Sequence, residues 1–361
     1  MTPRRIVILG LSITSSWGNG HAVTYRGLVR ELVARGHDVL FLERDVPWYA
    51  SHRDLPRPPH GRTRLYGDLG ELRVHHTGAI EEADLVIVGS YVPEGVEVGQ
   101  WVTATARGCT AFYDIDTPVT LARLARGDEE YLSASLIPRY HLYLSFTGGP
   151  TLERLEREYG APMARALYCS VDPTLYRPVQ VRRRWDLGYM GTYSPDRQPG
   201  LDDLLLEPAR SWAHGHFAVV GPQYPAEIRW PPNVDRIEHL PPDRHPVFYG
   251  AQRFTLNLTR ADMRSAGWSP SVRLFEAAAC GTPIVSDVWD GLETVLAPGR
   301  EILLARTPAE VLDYVHGLSE GERRLIADRA RRRVLAEHTA AHRAAELEGY
   351  LVELGAREPA A

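Results

Sequence analysis

Short apolar runs alternate along this chain with stretches whose apolar residues recur at helical spacing. In the first half the runs are Ile6–Leu9, Val39–Leu42, Leu85–Val88, Ala111–Tyr113 and Leu142–Ser145. Each has the length of a strand. Between the first two, residues Ala22–Arg35 carry the three- and four-residue spacing of an amphipathic helix, closed by Gly36. The pattern restarts with Leu187–Met190, Phe217–Val220, Phe254–Leu258, Ile284–Ser286 and Ile302–Leu304. Strands alternating with helices predict parallel sheets built from strand–helix–strand units. The restart predicts two domains, 1–172 and 185–335, joined by a Pro-bearing linker, 173–184, and followed by a C-terminal helix and tail, 336–361. Residues Pro47–Arg64, rich in Pro, Arg and His, have little periodicity and read as a long loop of the kind that serves binding. The stretch Glu320–Leu354 reads as charged and helical.

Composition narrows the function classes. A chain of 361 residues, 44% hydrophobic with 31 Gly and 27 Pro, is long enough for two α/β domains. A net charge of −5 argues against a nucleic-acid binder. All 41 basic residues are Arg, which removes Schiff-base, P-loop and Ser–Lys chemistry. Cys109, Cys169 and Cys280 lie too far apart for a zinc spacing and form no disulfide framework. The His pairs His75–His76, His214 with His216 and His239 with His245 lack metal-site spacing. The first apolar run is too short for a signal peptide, and no stretch approaches the length of a membrane span, so a cytoplasmic location is expected.

The most informative segment is Ser269–Asp287, SPSVRLFEAAACGTPIVSD. Ser269 reads as a helix N-cap, Pro270 as the first helical residue and Gly281 as a left-handed C-cap before the strand Ile284–Ser286. A helix start offers free amides and a positive dipole end to phosphate. One carboxylate, Glu276, lies in the otherwise apolar helix and must reach water, a partner or a ligand. Together these suit a nucleotide, with phosphates on the amides and ribose on Glu276. Ser271 would add a hydroxyl to the phosphate seat.

This segment resembles the donor-site signature of GT-B glycosyltransferases, whose retaining members carry Glu-Ala-x-Ala-x-Gly-x-Pro, here Glu276 to Pro283. It is closer still to the subgroup named after the spore-maturation protein CgeB, with Pro-Ser-x-Arg-x-Phe-Glu matched by Pro270 to Glu276. The resemblance implies a GT-B fold: two Rossmann-like domains facing across a cleft, with the last helix crossing back to the first domain. It also implies a bacterial, metal-independent hexosyltransferase that needs no cofactor beyond a nucleotide-diphosphate sugar, of UDP or dTDP type. Its partners would be that donor and a small-molecule or glycan acceptor. One departure stands out: the second glutamate of many retaining relatives, eight positions earlier, is Trp268 here.

Further candidates lie in loops after strands, where open α/β sheets bind ligands. After the first strand, Gly18 and Gly20 let backbone approach a ligand, and His21 opens the next helix. By resemblance to inverting GT-B enzymes, His21 would be a catalytic base oriented by an Asp, with Asp116 ahead of Asp114. The loop Gly191-Thr192-Tyr193-Ser194-Pro195-Asp196-Arg197 sits where retaining enzymes grip the diphosphate with two cations. Arg197 keeps one of these, Thr192 replaces the other, and Arg260 or Arg273 could supply it. The Glu276 motif leans to retention of configuration, the His21–Asp116 pair to inversion, and retention is favoured. A nucleotide-sugar epimerase or hydrolase, or a non-catalytic nucleotide-sugar-binding protein, would share the donor seat. A nicotinamide-dependent oxidoreductase is suggested by Glu43 at the end of the second strand, but the glycine fingerprint breaks at Val23.

Overall fold

The computed structural model describes residues 2–357, which divide into two compact units: residues up to Cys169 together with those from Ala340 onward, and Ser170–Thr339. Each unit is built on one parallel sheet.

In the first unit the strands are β1 (Arg5–Gly10), β2 (Asp38–Arg44), β3 (Arg62–Tyr66), β4 (Leu85–Gly89), β5 (Cys109–Asp114), β6 (Leu142–Ser145) and β7 (Ala164–Ala166). Their spatial order is β3-β2-β1-β4-β5-β6-β7. In the second they are β8 (Trp185–Met190), β9 (Phe217–Val220), β10 (Val234–Ile237), β11 (Gln252–Asn257), β12 (Ile284–Ser286) and β13 (Leu303–Leu304), ordered β10-β9-β8-β11-β12-β13. Each order reverses once, between β1 and β4 and between β8 and β11. Connections leave opposite faces of the sheet at such a point and open a crevice at the strand ends. Central strands are apolar on both faces, as sheets covered by helices require: β4 is buried along its whole length.

Three strands escaped the periodicity: β3, β7 and β10 are all sheet edges. An edge strand has one neighbour and a wet side, so nothing forces an apolar run on it: Arg62 and Arg64 of β3 alternate with Thr63 and Leu65, while β13, the other edge of the second sheet, keeps the run Ile302–Leu304. The expected loop Pro47–Arg64 is therefore corrected. It holds a helical turn, Pro47–Ala50, and its last residues begin β3, which pairs with β2.

The expected helical tail is two helices, Glu320–Glu337 and Ala340–Arg357, and the second belongs to the first unit. There Glu348 bonds Arg35 Nη1 at 2.9 Å and His37 Nε2 at 3.0 Å, and the Tyr350 hydroxyl donates to Ala166 O at 2.7 Å. A Cβ on Gly27 would lie 3.0 Å from Ala340 Cβ, so the glycine lets this helix lie close against helix His21–Ala34.

Candidate functional site

In the second unit the crevice between β8 and β11 is occupied by one side chain. Arg273 is 6% exposed. Its Nε donates to Met190 O at the end of β8 (2.6 Å), and its Nη1 to Asn257 Oδ1 at the end of β11 (2.7 Å). The guanidinium lies 4.7 Å from the Tyr189 ring centroid. A Cβ on Gly191 would stand 2.9 Å from Nη2, so Gly191 leaves that group room. Among the described residues no carboxylate lies within ion-pair distance of Arg273; every acceptor it has is neutral. A buried cation with no anion is costly, and the usual remedy is a bound one.

Arg273 opens the helix Val272–Ala279. This start corrects the sequence reading: Ser269 is not the cap and Pro270 is not the first helical residue. Trp268 adopts a positive φ of 43° while its N–H bonds Asp290 O, and Ser271 stays extended at φ −81°, ψ 153°. The Ser269 hydroxyl donates to Gly267 O instead. Ser271 occupies the N-cap position but does not cap, because its hydroxyl donates to Asn257 Oδ1 at 2.7 Å. The amides of Val272 and Arg273 thus find no acceptor among the described residues. Gly281 closes the helix at φ 72°, with its amide and that of Thr282 on Ala278 O and Ala277 O.

Glu276, one turn along, is 4% exposed. Its Oε2 accepts from the Tyr249 hydroxyl at 3.1 Å and lies 3.9 Å from His245 Nδ1. Burial, and then the Glu276 charge, hold the phenols of Tyr249 and Tyr176 well above their ordinary range.

The loop after β8 lies beside this group. Tyr224 donates to Gly191 O at 3.2 Å, and Arg197 Nη2 donates to Thr192 O at 2.7 Å, leaving its buried Nε unpaired. Gly221 permits the closeness, since at φ 150° a Cβ would fall 1.9 Å from Gly191 O. Arg260 differs from Arg273: its Nε lies 3.5 Å from Asp196 Oδ2, which also accepts from the Ala261 amide at 3.0 Å. Its charge is already balanced.

In the first unit, Gly18 takes a positive φ of 61°, and Gly20 is the N-cap of the helix that His21 opens. Asn19 Oδ1 accepts from the His21 amide at 3.1 Å, and the imidazole lies 5.6 Å from the Phe146 ring. Asp116, at the N-cap of helix Thr117–Leu124, accepts from the Tyr91 hydroxyl at 2.9 Å. Tyr91 holds a left-handed φ of 63° just after β4, in the strand-end region where strained residues cluster around function. No periodicity signals this residue. Asp114 is fully buried and accepts from Tyr143 (2.6 Å), Thr120 (3.0 Å) and the Asp116 amide (3.2 Å). Glu43 is also fully buried. It accepts from Ser12, from the Ile13 and Thr14 amides and from the Thr14 hydroxyl, so all its capacity goes to the loop after β1 and none to a ribose.

Burial raises the Asp114 carboxyl to about 6, from 3.8. Between these values the folded protein holds a proton that the unfolded chain has released, so stability falls as pH rises through this window. The loss amounts to about 3 kcal/mol. Asp114→Asn keeps an acceptor but cannot ionise. Urea unfolding at about pH 4 and about pH 7 is expected to show the variant gaining on the native protein by this order as pH rises; equal slopes would contradict it.

Solved structures share this fold over nearly the whole chain. Sucrose-phosphate synthase from Thermosynechococcus elongatus matches with a TM-score of 0.72 at 16% identity, covering 98% of this chain and all of that one. The fold is GT-B. HepE of Anabaena, in complex with UDP and glucose, matches with a TM-score of 0.73 at 14% identity over 97% of this chain and all of its own. An alpha-glucosyltransferase in complex with UDP and a DNA 13-mer matches with a TM-score of 0.70 at 12% identity over 98% of this chain and all of its own. Residues 197–349 match a family model described as glycosyl transferase-like, a segment that begins at Arg197 and spans Arg273 and Glu276 of this GT-B chain. No curated protein matches the sequence. Among the described residues no helix is long and apolar enough to cross a membrane, and no group of three or more His, Cys, Asp or Glu could hold a metal ion.

Proposed function

We propose that this chain is a metal-independent hexosyltransferase of CgeB-like type, taking its sugar from a nucleoside diphosphate donor seated in the second unit. One observation carries the reading: a buried guanidinium at the β8/β11 crevice, with no carboxylate partner, beside two unclaimed helix amides. The diphosphate supplies the missing anion. Arg273 Nη2 and the amides of Val272 and Arg273 hold it, Arg197 adds a second cation, and Gly191 and Thr192 line its approach. Arg260 joins only by exchanging Asp196 for phosphate. Negative charge grows on the diphosphate as the glycosidic bond breaks, so cations fixed there stabilise the transition state more than the ground state. Glu276 accepts from the ribose hydroxyls.

The chemistry on the acceptor side falls to His21, with Asp116 orienting it and Asp114 fixing the Asp116 backbone. The acceptor is a small-molecule or glycan hydroxyl or amine, and the anomeric configuration is retained. UDP is the preferred donor base, in keeping with the UDP named in the HepE and alpha-glucosyltransferase complexes.

The test is a thermal-shift series with UDP, dTDP, GDP and CMP. A ligand that binds only the folded state raises the midpoint according to its occupancy. UDP is expected to give the largest shift, and Glu276→Ala to lose most of it. Equal shifts from all four, or a full UDP shift in the variant, would refute the assignment. Incubation with UDP-sugar alone then separates transfer from hydrolysis and epimerisation, since only the latter two turn the donor over without an acceptor.

A further inference from the structure

Trp268 has no part in the donor seat described above, yet the chain around it is shaped to hold it. Its φ of 43° is a left-handed value that a bulky side chain rarely adopts. Gly267 before it takes φ 69°, ψ −173°, a region open essentially to glycine alone, and a Cβ there would fall 2.5 Å from Asp290 O. Gly291, in the loop after β12, takes φ 86°. A Cβ on it would stand 2.4 Å from Trp268 Cδ1 and 2.5 Å from Cγ and Nε1. The five-membered ring of the indole therefore lies directly on the Gly291 backbone. The Trp268 amide donates to Asp290 O at 2.6 Å, which ties the strained turn to the same loop. Strain of this kind persists only where the surroundings over-determine it, and it gathers at ligand clamps.

The position of the indole says which ligand group it meets. Only Ser269, Pro270 and Ser271 separate Trp268 from the Val272 amide, and Ser269 and Pro270 are buried. Ser271 and Arg273 both bond Asn257 Oδ1 at the end of β11, while the indole rests on the loop that follows β12, the adjacent strand. Glu276 lies one helical turn beyond the two amides, and Trp268 lies before them. With the ribose on Glu276, the end of the diphosphate that carries the sugar is left to the Trp268 side. The indole is half-buried there: Gly291 covers part of it, and the rest stays open.

We propose that Trp268 is the platform for the donor's sugar, with a pyranose ring laid against the indole through its apolar C–H face. This rests on the reading that the diphosphate takes the helix amides and Glu276 the ribose. A pyranose is amphipathic, with ring hydrogens over its faces and hydroxyls around its edge. The negative face of an indole suits polarised C–H groups, and stacking removes apolar area from water without any hydroxyl needing a partner. A platform already fixed loses little side-chain freedom when the ligand arrives, and the left-handed turn on Gly291 is what fixes it.

The experiment compares calorimetric affinities for UDP and UDP-glucose in the native protein, Trp268→Gly and Trp268→Phe. Glycine adopts a φ of 43° without strain, so Trp268→Gly keeps the turn. It is expected to weaken UDP-glucose roughly tenfold and UDP by less than about twofold. Phenylalanine supplies a ring face without an N–H, and is expected to bring UDP-glucose back to within about threefold of native. That recovery separates stacking from a hydrogen bond donated by Nε1. Should Trp268→Gly fail to fold, Trp268→Leu, apolar but without a ring, takes its place with the same expected ratio. A glycine or leucine variant that weakens both ligands by one factor, or neither, overturns the platform and leaves the diphosphate seat standing. A phenylalanine variant as weak as the glycine one overturns the stacking. A native protein that binds neither ligand overturns the seat itself, and the platform with it.

Discussion

Arg273→Met is expected to weaken nucleotide binding roughly a hundredfold while leaving the ligand-free protein about as stable as before. The side chain combines a strong attraction for an anion with a native-state cost. Its cation is buried, and its acceptors, Met190 O, Asn257 Oδ1 and Leu258 O, are all neutral. Replacing such a charge with an apolar chain of similar length frees it from desolvation and forfeits a few hydrogen bonds, and the two effects offset one another. The nucleotide has no such compensation. Losing a charge-assisted contact to the diphosphate costs about 3 kcal/mol, roughly a hundredfold in affinity. At a UDP concentration of about a hundred times the native Kd, stabilisation by ligand falls from about 2.7 to about 0.4 kcal/mol. Arg273→Lys is expected to fall between, since one ammonium cannot span the ends of β8 and β11 and still present a donor beside Gly191. Thermal melts with and without UDP read both quantities. A variant that loses its ligand-free midpoint but keeps the full UDP shift would make Arg273 a purely structural strut.

Glu43→Ala is expected to cost about 3–5 kcal/mol in urea unfolding, the largest single-residue loss in the first unit outside its apolar core. The carboxylate holds the Ile13 and Thr14 amides at 2.7 and 3.0 Å, together with the Ser12 and Thr14 hydroxyls. Alanine leaves two buried amides unpaired and opens a hole under the loop that leads to Gly18, Gly20 and His21. Arg53 also donates to the Thr14 hydroxyl, and Arg26 ties Ile13 O to Asp54, so the damage spreads into the segment after β2. Glu43→Gln keeps one acceptor oxygen but turns an NH2 toward donors, and is expected to recover about half of the loss. A Glu43→Ala effect below about 1 kcal/mol would mean that water replaces the carboxylate.

The sequence by itself determined the elements whose chemistry is local. Central strands carry apolar residues on both faces, so β1, β2, β4, β5 and β6, and β8, β9, β11 and β12, are legible as runs. The C-terminal end of helix Val272–Ala279 is legible because Gly281 meets a left-handed requirement that few other residues satisfy. The lone carboxylate in that helix marks Glu276 as a residue needing a partner. Edge strands β3, β7 and β10 are not legible, because an open edge forces no apolar pattern, whereas the edge strand β13 is legible from the run Ile302–Leu304.

Only the tertiary structure decided which charges are free. Arg197, Arg260 and Arg273 look alike in a chain whose basic residues are all Arg; Asp196, brought in from another loop, balances Arg260, while the reversal of strand order encloses Arg273 without a counter-charge. Tertiary contacts also moved the helix start to Val272, where Ser271 serves Asn257 rather than the helix amides, and they consumed Glu43 inside its own loop. The Tyr176–His245 hydrogen bond joins positions 69 residues apart, and Tyr249 reaches Glu276 from 27 residues away. Pattern along a chain records which face each residue turns to water. Pairing of charges and hydrogen bonds depends on which strand ends the topology makes neighbours, and that is written only in three dimensions.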